Sequence, residues 1–503
     1  MRVRGRFWLY RNLVASFTWV AFRSQKVRPL EAPVDGSVQF RPYAQAHPGL
    51  PVPGLYAPVT FPAGDRAARR LRRIETTKRL LAQATRLAPP DTPPIPRDPT
   101  KFLAVAYPRL FRKAWPTAPR VPPELAAPGA DVIGELAVRA PFGSYLRRAD
   151  DGGRTYVLDL DWMAAYEARP ALVRPGGRAV LTVSGGRLVT TAVHCHGLPP
   201  ERARAVLLAA LNEDLTTFRH NLSVHLAMLT SFTLATTNKL GAKHPVRRLL
   251  HHCFHTVLIG NHEVAELQLS GPRGLSATIF SHDAGQLAAM AGDYLRRFDL
   301  WDFEPGTQFR RRGTMETPFA YPYRDNVMRL WSATRAYVED YLRLYYQGDE
   351  AVRGDPQLTD WGAELDRLLP NGAAVPIGGI TFDWLAGTCA TLIHVSTVEH
   401  DILNNVVWNY STLGWIVPAV VPLSGAPMDQ RRAFDLIATL IGTWKPYNML
   451  FTADLPSLAL DDRAAAVIRR WIERLGRIQD DMATRPHHPS LSYPANLNVS
   501  ISN

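Results

Sequence analysis

The feature that most constrains the fold is a long stretch without helix breakers. Residues 201–240, ERARAVLLAALNEDLTTFRHNLSVHLAMLTSFTLATTNKL, contain neither proline nor glycine. A helix in a globular protein averages roughly 11–12 residues, and this stretch is apolar on most of its faces. The sequence therefore predicts one long central helix that is buried on most sides. Further helical segments are expected at 325–346, 381–407 and 461–484.

Strand-like patterns are confined to a short region before that helix. They are TYVLDLDW at 155–162 and RAVLTVSGGRLVTTAV at 178–193. In the second, Gly185 and Gly186 separate two β-branched runs, which is typical of a hairpin turn. The fold class expected is mainly α, a single large helical domain at 131–503 with a small β-hairpin region.

Residues 1–130 have a different character. The opening MRVRGRFWLYRNLVASFTWVAF is basic and apolar, which indicates either an amphipathic first helix or an export or membrane-surface signal. Clusters such as APPDTPPIPRDP then interrupt the chain, with one basic helical segment at 65–87. Proline at this density predicts an extended arm that wraps the main domain.

The charge and the cysteine content exclude some classes of protein but do not identify the binding partner. The formal net charge is +13 and the pI about 9.8, which suits anionic substrates, acidic membrane surfaces or nucleic acid. No recognition motif accompanies the arginines, so we expect no nucleic acid partner. The three cysteines are widely spaced, which argues against a disulfide framework or a thiolate zinc site. We expect no membrane-spanning helix, because no run of 18 apolar residues exists.

Two pairs of polar residues lie on buried-looking helices. His220 and His225 are five residues apart, so a regular α-helix would point their rings about 140° apart. A π-type irregularity, common at functional sites, would bring both rings to one face. His400 and Asn404 are four residues apart and share a face without distortion. Such an N/O set suits Fe or Mn, although spacing alone also fits two unrelated core histidines.

Four segments follow one another along the chain. After His225 comes ATTNKLGAKHPVRRLL, then YPYRDNVMRLWSATRAYVEDYLRLYY at 321–346, then CATLIHVSTVEHDILN, which contains His400 and Asn404, and last the ending LSYPANLNVSISN. Together they resemble the lipoxygenase family over roughly residues 140–503. The second segment is the most specific. The resemblance is to a short bacterial-type member without the family's N-terminal β-barrel domain.

The resemblance implies a catalytic site and a reaction. One non-haem Fe per chain, or Mn, would be held by His220, His225, His400, Asn404 and the terminal carboxylate of Asn503. A metal-bound hydroxide would abstract hydrogen from a bis-allylic carbon of a polyunsaturated lipid. O2 would then add to give a hydroperoxide. The tail LSYPANLNVSISN runs one residue longer than the family pattern, so Ile501 could occupy the usual place instead.

The walls of the lipid channel depart from the family pattern. Thr216 and Val407 stand where glutamines are common, and Asp401 and Asn405 could supply other hydrogen bonds. The residue that controls product chirality in the family falls at Val264, or at Ala265 with a gap. The leucine that would clamp the substrate, as leucines do in the family, is either Leu267 or Leu269.

Two other clusters of histidine and cysteine need a second interpretation. The segment HHCFH at 251–255 resembles a zinc site, but the family has a helix surface there. His194, Cys195 and His196 lie at a strand end. We expect structural roles for both clusters.

Three functions remain in competition. The leading one is a lipoxygenase-type dioxygenase that acts on a polyunsaturated fatty acid or related lipid and O2. An alternative enzyme would isomerise lipid hydroperoxides or oxidise an apolar specialised metabolite, and a third hypothesis is a non-catalytic lipid-binding protein. We expect a cytoplasmic monomer with peripheral membrane association, and the sequence leaves export open.

Overall fold

The computed structural model describes residues 30, 32–33, 125, 127, 129–139, 141–149, 152–255, 257–269, 274–411, 413–426, 449–484 and 494–501. The predicted first helix and almost all of the proline-rich arm at 1–130 lie outside these residues.

The predicted mainly α fold is confirmed. In chain order the described α-helices are α1 (Val132–Arg139), α2 (Pro200–Glu213), α3 (Thr230–Lys239), α4 (Pro245–Leu250), α5 (Val257–Glu263), α6 (Leu275–Ile279), α7 (Ala284–Leu295), α8 (Pro305–Arg311), α9 (Pro322–Leu342), α10 (Asp349–Arg353), α11 (Pro356–Leu368), α12 (Phe382–His394), α13 (His400–Val406) and α14 (Asp462–Ala483).

Two other kinds of helix complete the described elements. The π-helices are π1 (Asp214–Leu229), π2 (Val264–Leu269), π3 (Val395–Glu399) and π4 (Val407–Ser411). The short 3-10 helices are Pro141–Tyr145, Asp161–Ala165, His251–Phe254, Leu300–Phe303, Leu455–Leu458 and Pro494–Asn496.

The long central helix forms as one run made of α2, π1 and α3. Every residue of π1, from Asp214 to Leu229, is buried. Helix α3 ends at Lys239, just before Gly241 and Pro245. The expected length and burial of this helix are therefore confirmed.

The small sheet has four antiparallel strands in sequential order. They are β1 (Arg147–Arg148), β2 (Thr155–Asp159), β3 (Arg178–Ser184) and β4 (Arg187–His194). Gly185 and Gly186 both have positive φ, 55° and 72°, which a two-residue turn of the I′ type needs and which glycine adopts at little cost. The predicted hairpin is thus confirmed.

Side-chain caps fix where helices α12 and α14 begin. The Thr381 hydroxyl accepts the Trp384 N–H at 3.2 Å before α12, and the Asp461 carboxylate accepts the Ala464 N–H at 2.9 Å before α14. Each bond satisfies a backbone donor that the first turn leaves free. Helix α9 packs against both α12 and α14. These contacts join the three helices into one packed group.

Among the described residues, no helix is both long and apolar enough to cross a bilayer.

Candidate metal centre

Three of the predicted ligands meet in the interior. Helix π1 supplies His220 and His225, and α13 begins with His400. The Nε2 atom of His225 lies 3.3 Å from that of His220 and 3.1 Å from that of His400. All three residues are at most 6% exposed. Within the described parts of the chain, this is the one group of three His, Cys, Asp or Glu residues whose ligand atoms lie within 4.8 Å of one another.

The π-helix explains how two histidines five residues apart face one point. A π-helix is bonded from residue i to residue i+5, and the Thr230 N–H at the end of π1 donates to the His225 carbonyl. His220 and His225 therefore stand on nearly the same face, with ring centroids 4.9 Å apart. The predicted π-type irregularity is confirmed, and it spans 16 residues rather than one turn.

The nitrogen separations fit a single ion. Two nitrogens bound at about 2.1 Å would lie roughly 3.0 Å apart at a right angle and roughly 3.4 Å apart at a tetrahedral angle. The observed separations, 3.1 and 3.3 Å, fall between these values. The donor set of buried imidazoles suits a divalent transition metal such as Fe, Mn or Zn.

The surroundings of His220 and His400 lower the pKa of both rings and so favour the neutral form. Burial lowers the pKa of His220 well below its usual range, and the nearby His225 ring lowers it further. Burial does the same to the pKa of His400, with His225 and His220 adding to the effect. Neutral imidazoles carry a free lone pair, which is the form that binds metals.

Asn261 on α5 orients the middle ligand. Its Nδ2 donates to the His225 carbonyl at 2.6 Å and to the Thr230 hydroxyl at 2.8 Å. Both partners accept, so the Asn261 Oδ1 is the atom that lies 2.8 Å from His225 Nδ1 and accepts its hydrogen. The His225 Nε2 is thereby left as the acceptor that faces the other two rings. Asn261 was not among the residues predicted from the sequence, although an Asn within the largely apolar segment TVLIGNHEV at 256–264 indicates a buried polar group.

We expect Asn261→Leu to weaken metal binding by roughly 10-fold to 100-fold, the usual effect of losing the hydrogen bond that orients a ligand histidine. A titration in a chelator-buffered metal solution measures it, with far-ultraviolet circular dichroism to check folding. Gln268→Leu is the matched control, because Gln268 is also a buried amide, on π2. Equal metal affinity in both variants would remove Asn261 from the site.

Of the two remaining predicted ligands, Asn404 and Asn503, the structure describes only Asn404. Asn404 is half-buried, one turn beyond His400 on α13. Asn503 lies outside the described residues. The tail up to Ile501 is described, and Val499 and Ile501 are buried. The Asp401 carboxylate accepts the Asn498 backbone N–H at 2.7 Å and its side-chain amide at 3.2 Å. The tail is therefore fastened to the residue that follows His400.

The predicted channel residues lie around the same helices. Thr216 is buried on π1. Val264, Ala265 and Leu269 are buried on π2, which packs against π1. The side chains of Leu267, Asn405 and Val407 lie outside the described part of the structure.

A buried ion pair that was not predicted from the sequence joins π1 to the helical run that carries His400. Arg219 precedes His220, and Glu399 precedes His400. The Arg219 Nε and Nη2 atoms donate to the Glu399 Oε1 at 2.8 and 2.6 Å, and both side chains are at most 7% exposed. The guanidinium carbon also lies 4.8 Å from the centre of the Phe303 ring. The ligands of one helix are thus tied to those of the other.

The other two clusters have structural surroundings, and one differs from expectation. His252 and Cys253 are buried, so that segment is a buried 3-10 turn rather than a helix surface. Burial raises the pKa of Cys195, with the nearby Asp161 adding to it, to about 11. The Cys195 Sγ lies 3.5 Å from the Gly176 carbonyl.

Comparison with known proteins points in the same direction. Residues 210–422 match the family model described as Lipoxygenase. The chain is 27% identical over 215 residues to a linoleate 9/13-lipoxygenase of Pseudomonas aeruginosa, which is 41% of this chain and 30% of that protein. It is 31% identical over 147 residues to a hydroperoxide isomerase of Rattus norvegicus, which is 29% of this chain and 20% of that protein.

A solved structure extends the similarity to almost the whole chain. An anaerobic crystal structure of a lipoxygenase variant in complex with arachidonate matches with a TM-score of 0.74 at 15% identity, over 93% of this chain and 80% of that one. At this identity the match shows the fold, which is that of the lipoxygenase catalytic domain. The sequence matches to the two curated relatives cover less than a third of their lengths.

Proposed function

Residues 210–422 form a lipoxygenase-family domain, and from that premise we propose that this protein is a non-haem metal dioxygenase acting on polyunsaturated fatty acyl chains. The observation that carries the proposal is the convergence of three buried histidines at one point, with the pKa of His220 and of His400 lowered well below the usual histidine range by burial and the neighbouring rings. We propose one Fe per chain, with Mn as the alternative, bound by His220, His225, His400, Asn404 and the Asn503 carboxylate. When bound, the metal supplies the one-electron oxidation of a bis-allylic C–H bond.

The chain's own residues perform the remaining tasks. Asn261 fixes the ring of His225 and so aims its lone pair. The Arg219–Glu399 pair ties π1 to π3, whose last residue, Glu399, directly precedes α13. Apolar side chains from 216–234, 257–270 and 395–410 would enclose the acyl chain and keep water from the pentadienyl radical. Val264 or Ala265 would lie on the side from which O2 adds.

An oxygen electrode tests the reaction directly. Purified, iron-loaded protein is given linoleic acid, and O2 consumption is compared with the appearance of conjugated diene. A dioxygenase consumes one O2 for each diene formed. Manganese-loaded and metal-free protein serve as comparisons, and metal analysis by mass spectrometry gives the ion content. No metal binding at all would favour the third hypothesis, a non-catalytic lipid-binding protein.

The alternative enzyme is a hydroperoxide isomerase. Two observations favour this alternative. The chain is 31% identical over 147 residues to such a protein. The sequence HDILNNVVWNY at 400–410 also replaces the small residues that the family usually has after the third histidine. Such an enzyme would convert pre-formed linoleate hydroperoxide without consuming O2. Loss of hydroperoxide in a sealed anaerobic cell, with no O2 uptake from linoleic acid, would decide for it.

Exchange of Val264 or Ala265 for Gly is expected to change the ratio of hydroperoxide isomers at one of the two positions. Both residues are buried on the π-helix that packs against π1, so removing their methyl groups opens space beside the proposed acyl chain. Chiral-phase chromatography of the products measures the ratio. Leu269→Ala is the comparison, since it opens space on the same helix at the proposed clamp. Unchanged chirality in both Gly variants would contradict this assignment.

Adding a few residues after Asn503 is expected to abolish O2 uptake and weaken metal binding. The supporting observation is the pair of hydrogen bonds from Asn498 to Asp401. The five residues that follow Asn498 span at most about 17 Å, a length that keeps the terminal carboxylate within reach of the histidine cluster. The same extension at the N-terminus is the control. Full activity with the C-terminal extension would show that the carboxylate is not a ligand.

A further inference from the structure

A surface cleft of about 470 Å³ lies between the small sheet and the 3-10 helix Pro141–Tyr145. Its wall includes Ser144 and Tyr145 of the 3-10 helix, Asp159 at the end of β2, and Arg312, which follows α8. The 3-10 helix Pro141–Tyr145 packs against α13, the helix that begins at His400. One wall of the cleft is thus built on an element that touches the ligand helix.

Arg312 is a partly buried cation with no ion-pair partner among the described residues. Its Nη1 atom is fully buried and has no hydrogen-bond partner, and no carboxylate among the described residues forms an ion pair with it. Burial lowers the pKa of Arg312 below the usual arginine range, and the nearby guanidinium of Arg219 lowers it further. Asp302 is engaged elsewhere, at 2.7 Å from Arg311. A buried charge of this kind is strongly destabilising until it is paired.

Ser144 provides a second unsatisfied donor in the same cleft. The residue is 1% exposed, and its hydroxyl has no hydrogen-bond partner. Buried hydroxyls are nearly always bonded to protein or to a bound molecule. The Tyr145 hydroxyl, by contrast, donates to Asp214 at 2.5 Å. The buried polar atoms of the cleft that lack a partner are therefore two donors, the Arg312 Nη1 and the Ser144 hydroxyl. A ligand that satisfies both must carry a hydrogen-bond acceptor.

The acidic side chains of the cleft are already neutralised or solvated. Asp159 lies 2.8 Å from both Arg147 and Arg178 and also accepts the Asp161 N–H. The Asp161 side chain is 56% exposed and lies 3.7 Å from Arg178. Neither carboxylate offsets the charge of Arg312. An anion that entered the cleft would meet one unpaired guanidinium rather than a net acidic surface.

We propose that this cleft binds an oxyanion, a carboxylate or phosphate group, with Arg312 and Ser144 as its donors. The planar guanidinium matches the two oxygens of a carboxylate or phosphate and forms charge-assisted hydrogen bonds with them. The ligand has two candidate sources. It is either the carboxylate of the fatty acid, an assignment that rests on the proposed function, or a free phosphate-type anion that binds independently of the substrate.

Thermal unfolding with and without anions tests the site itself. Sodium phosphate and sodium acetate are compared with sodium chloride at equal ionic strength. We expect either oxyanion to raise the Tm of the wild-type protein by roughly 1–3 °C at saturation. This response should disappear in Arg312→Met and weaken in Ser144→Ala. Arg310→Met is the matched control, because Arg310 is a nearby, solvent-exposed arginine.

Kinetics distinguish the two sources. If the substrate carboxylate binds here, Arg312→Met raises the KM for linoleic acid by roughly 10-fold to 100-fold, leaves that for methyl linoleate unchanged, and removes competitive inhibition by phosphate. If a free oxyanion binds, the Tm response is lost while both KM values stay constant. Either result supports the site.

The proposal is overturned if Arg312→Met behaves as the wild type does in both experiments. Absence of O2 uptake from every lipid would count against the proposed function alone, since the unfolding measurement still decides whether an oxyanion binds. Because Arg312 has no ion-pair partner to lose, we expect Arg312→Met to fold. Ser144→Ala gives a second, smaller change in the same cleft.

Discussion

His220→Gln, His225→Gln and His400→Gln are each expected to give a folded protein with almost no bound metal and background O2 uptake. Losing a hydrogen bond that merely orients a ligand costs roughly 10-fold to 100-fold in affinity, so losing the ligand itself should cost more. Burial and the neighbouring rings lower the pKa of His220 and of His400, so each of these two rings is neutral near pH 7 and offers a lone pair to the metal. Metal content after dialysis and O2 uptake are the two measurements.

The matched control is His394→Gln. His394 is 1% exposed, lies on α12 of the same helical run as His400, and packs edge-on against Trp331. It therefore reports the effect of removing a buried imidazole that is not in the cluster. Burial lowers the pKa of His394 to about 4, so it too is neutral near pH 7. Retention of metal in His220→Gln and His400→Gln, or equal loss in His394→Gln, would reject the assignment.

The fold was predictable because its signals are local. Gly185 and Gly186 encode a turn that only residues tolerant of positive φ adopt. Residues 201–240 have no interruption, so a single helix follows. The π-helix was predictable for a different reason: His220 and His225 could serve one ion only if the helix departed from 3.6 residues per turn. A geometric requirement thus predicted a backbone feature.

The supporting residues of the site were not predictable in the same way. Asn261 contacts His225 across 36 residues of sequence, and Arg219 contacts Glu399 across 180. No periodicity links such positions, because their proximity depends on how whole helices pack. Arg312 shows the same limit: the sequence marks it only as one of three consecutive arginines, RRR, at 310–312. Its lack of an anion is a property of the folded cleft.

The buried pair of Arg219 and Glu399 is expected to control both stability and metal affinity, through separable effects. Arg219→Met leaves the Glu399 carboxylate buried and unpaired, and Glu399→Gln leaves the Arg219 guanidinium without its counter-charge. Breaking a buried pair from one side typically destabilises by about 3–5 kcal/mol. Urea denaturation of the metal-free protein measures the change in the free energy of unfolding. Arg367→Met is the control, because the Arg367–Glu364 pair is largely exposed on the arginine side, where such pairs contribute about 0–1 kcal/mol.

The double variant Arg219→Met/Glu399→Leu separates the two effects. Both buried charges are removed, and apolar replacement of a buried ion pair is often neutral or stabilising, so stability should return to near the wild-type value. The hydrogen bonds that tie π1 to Glu399, the residue before α13, are lost, however. His220 and His400 are then held only by packing, and metal affinity should stay below that of the wild type by roughly 10-fold, the lower end of the effect of losing a supporting contact. A double variant that recovers both stability and metal affinity would show that the pair has no role in positioning the ligands.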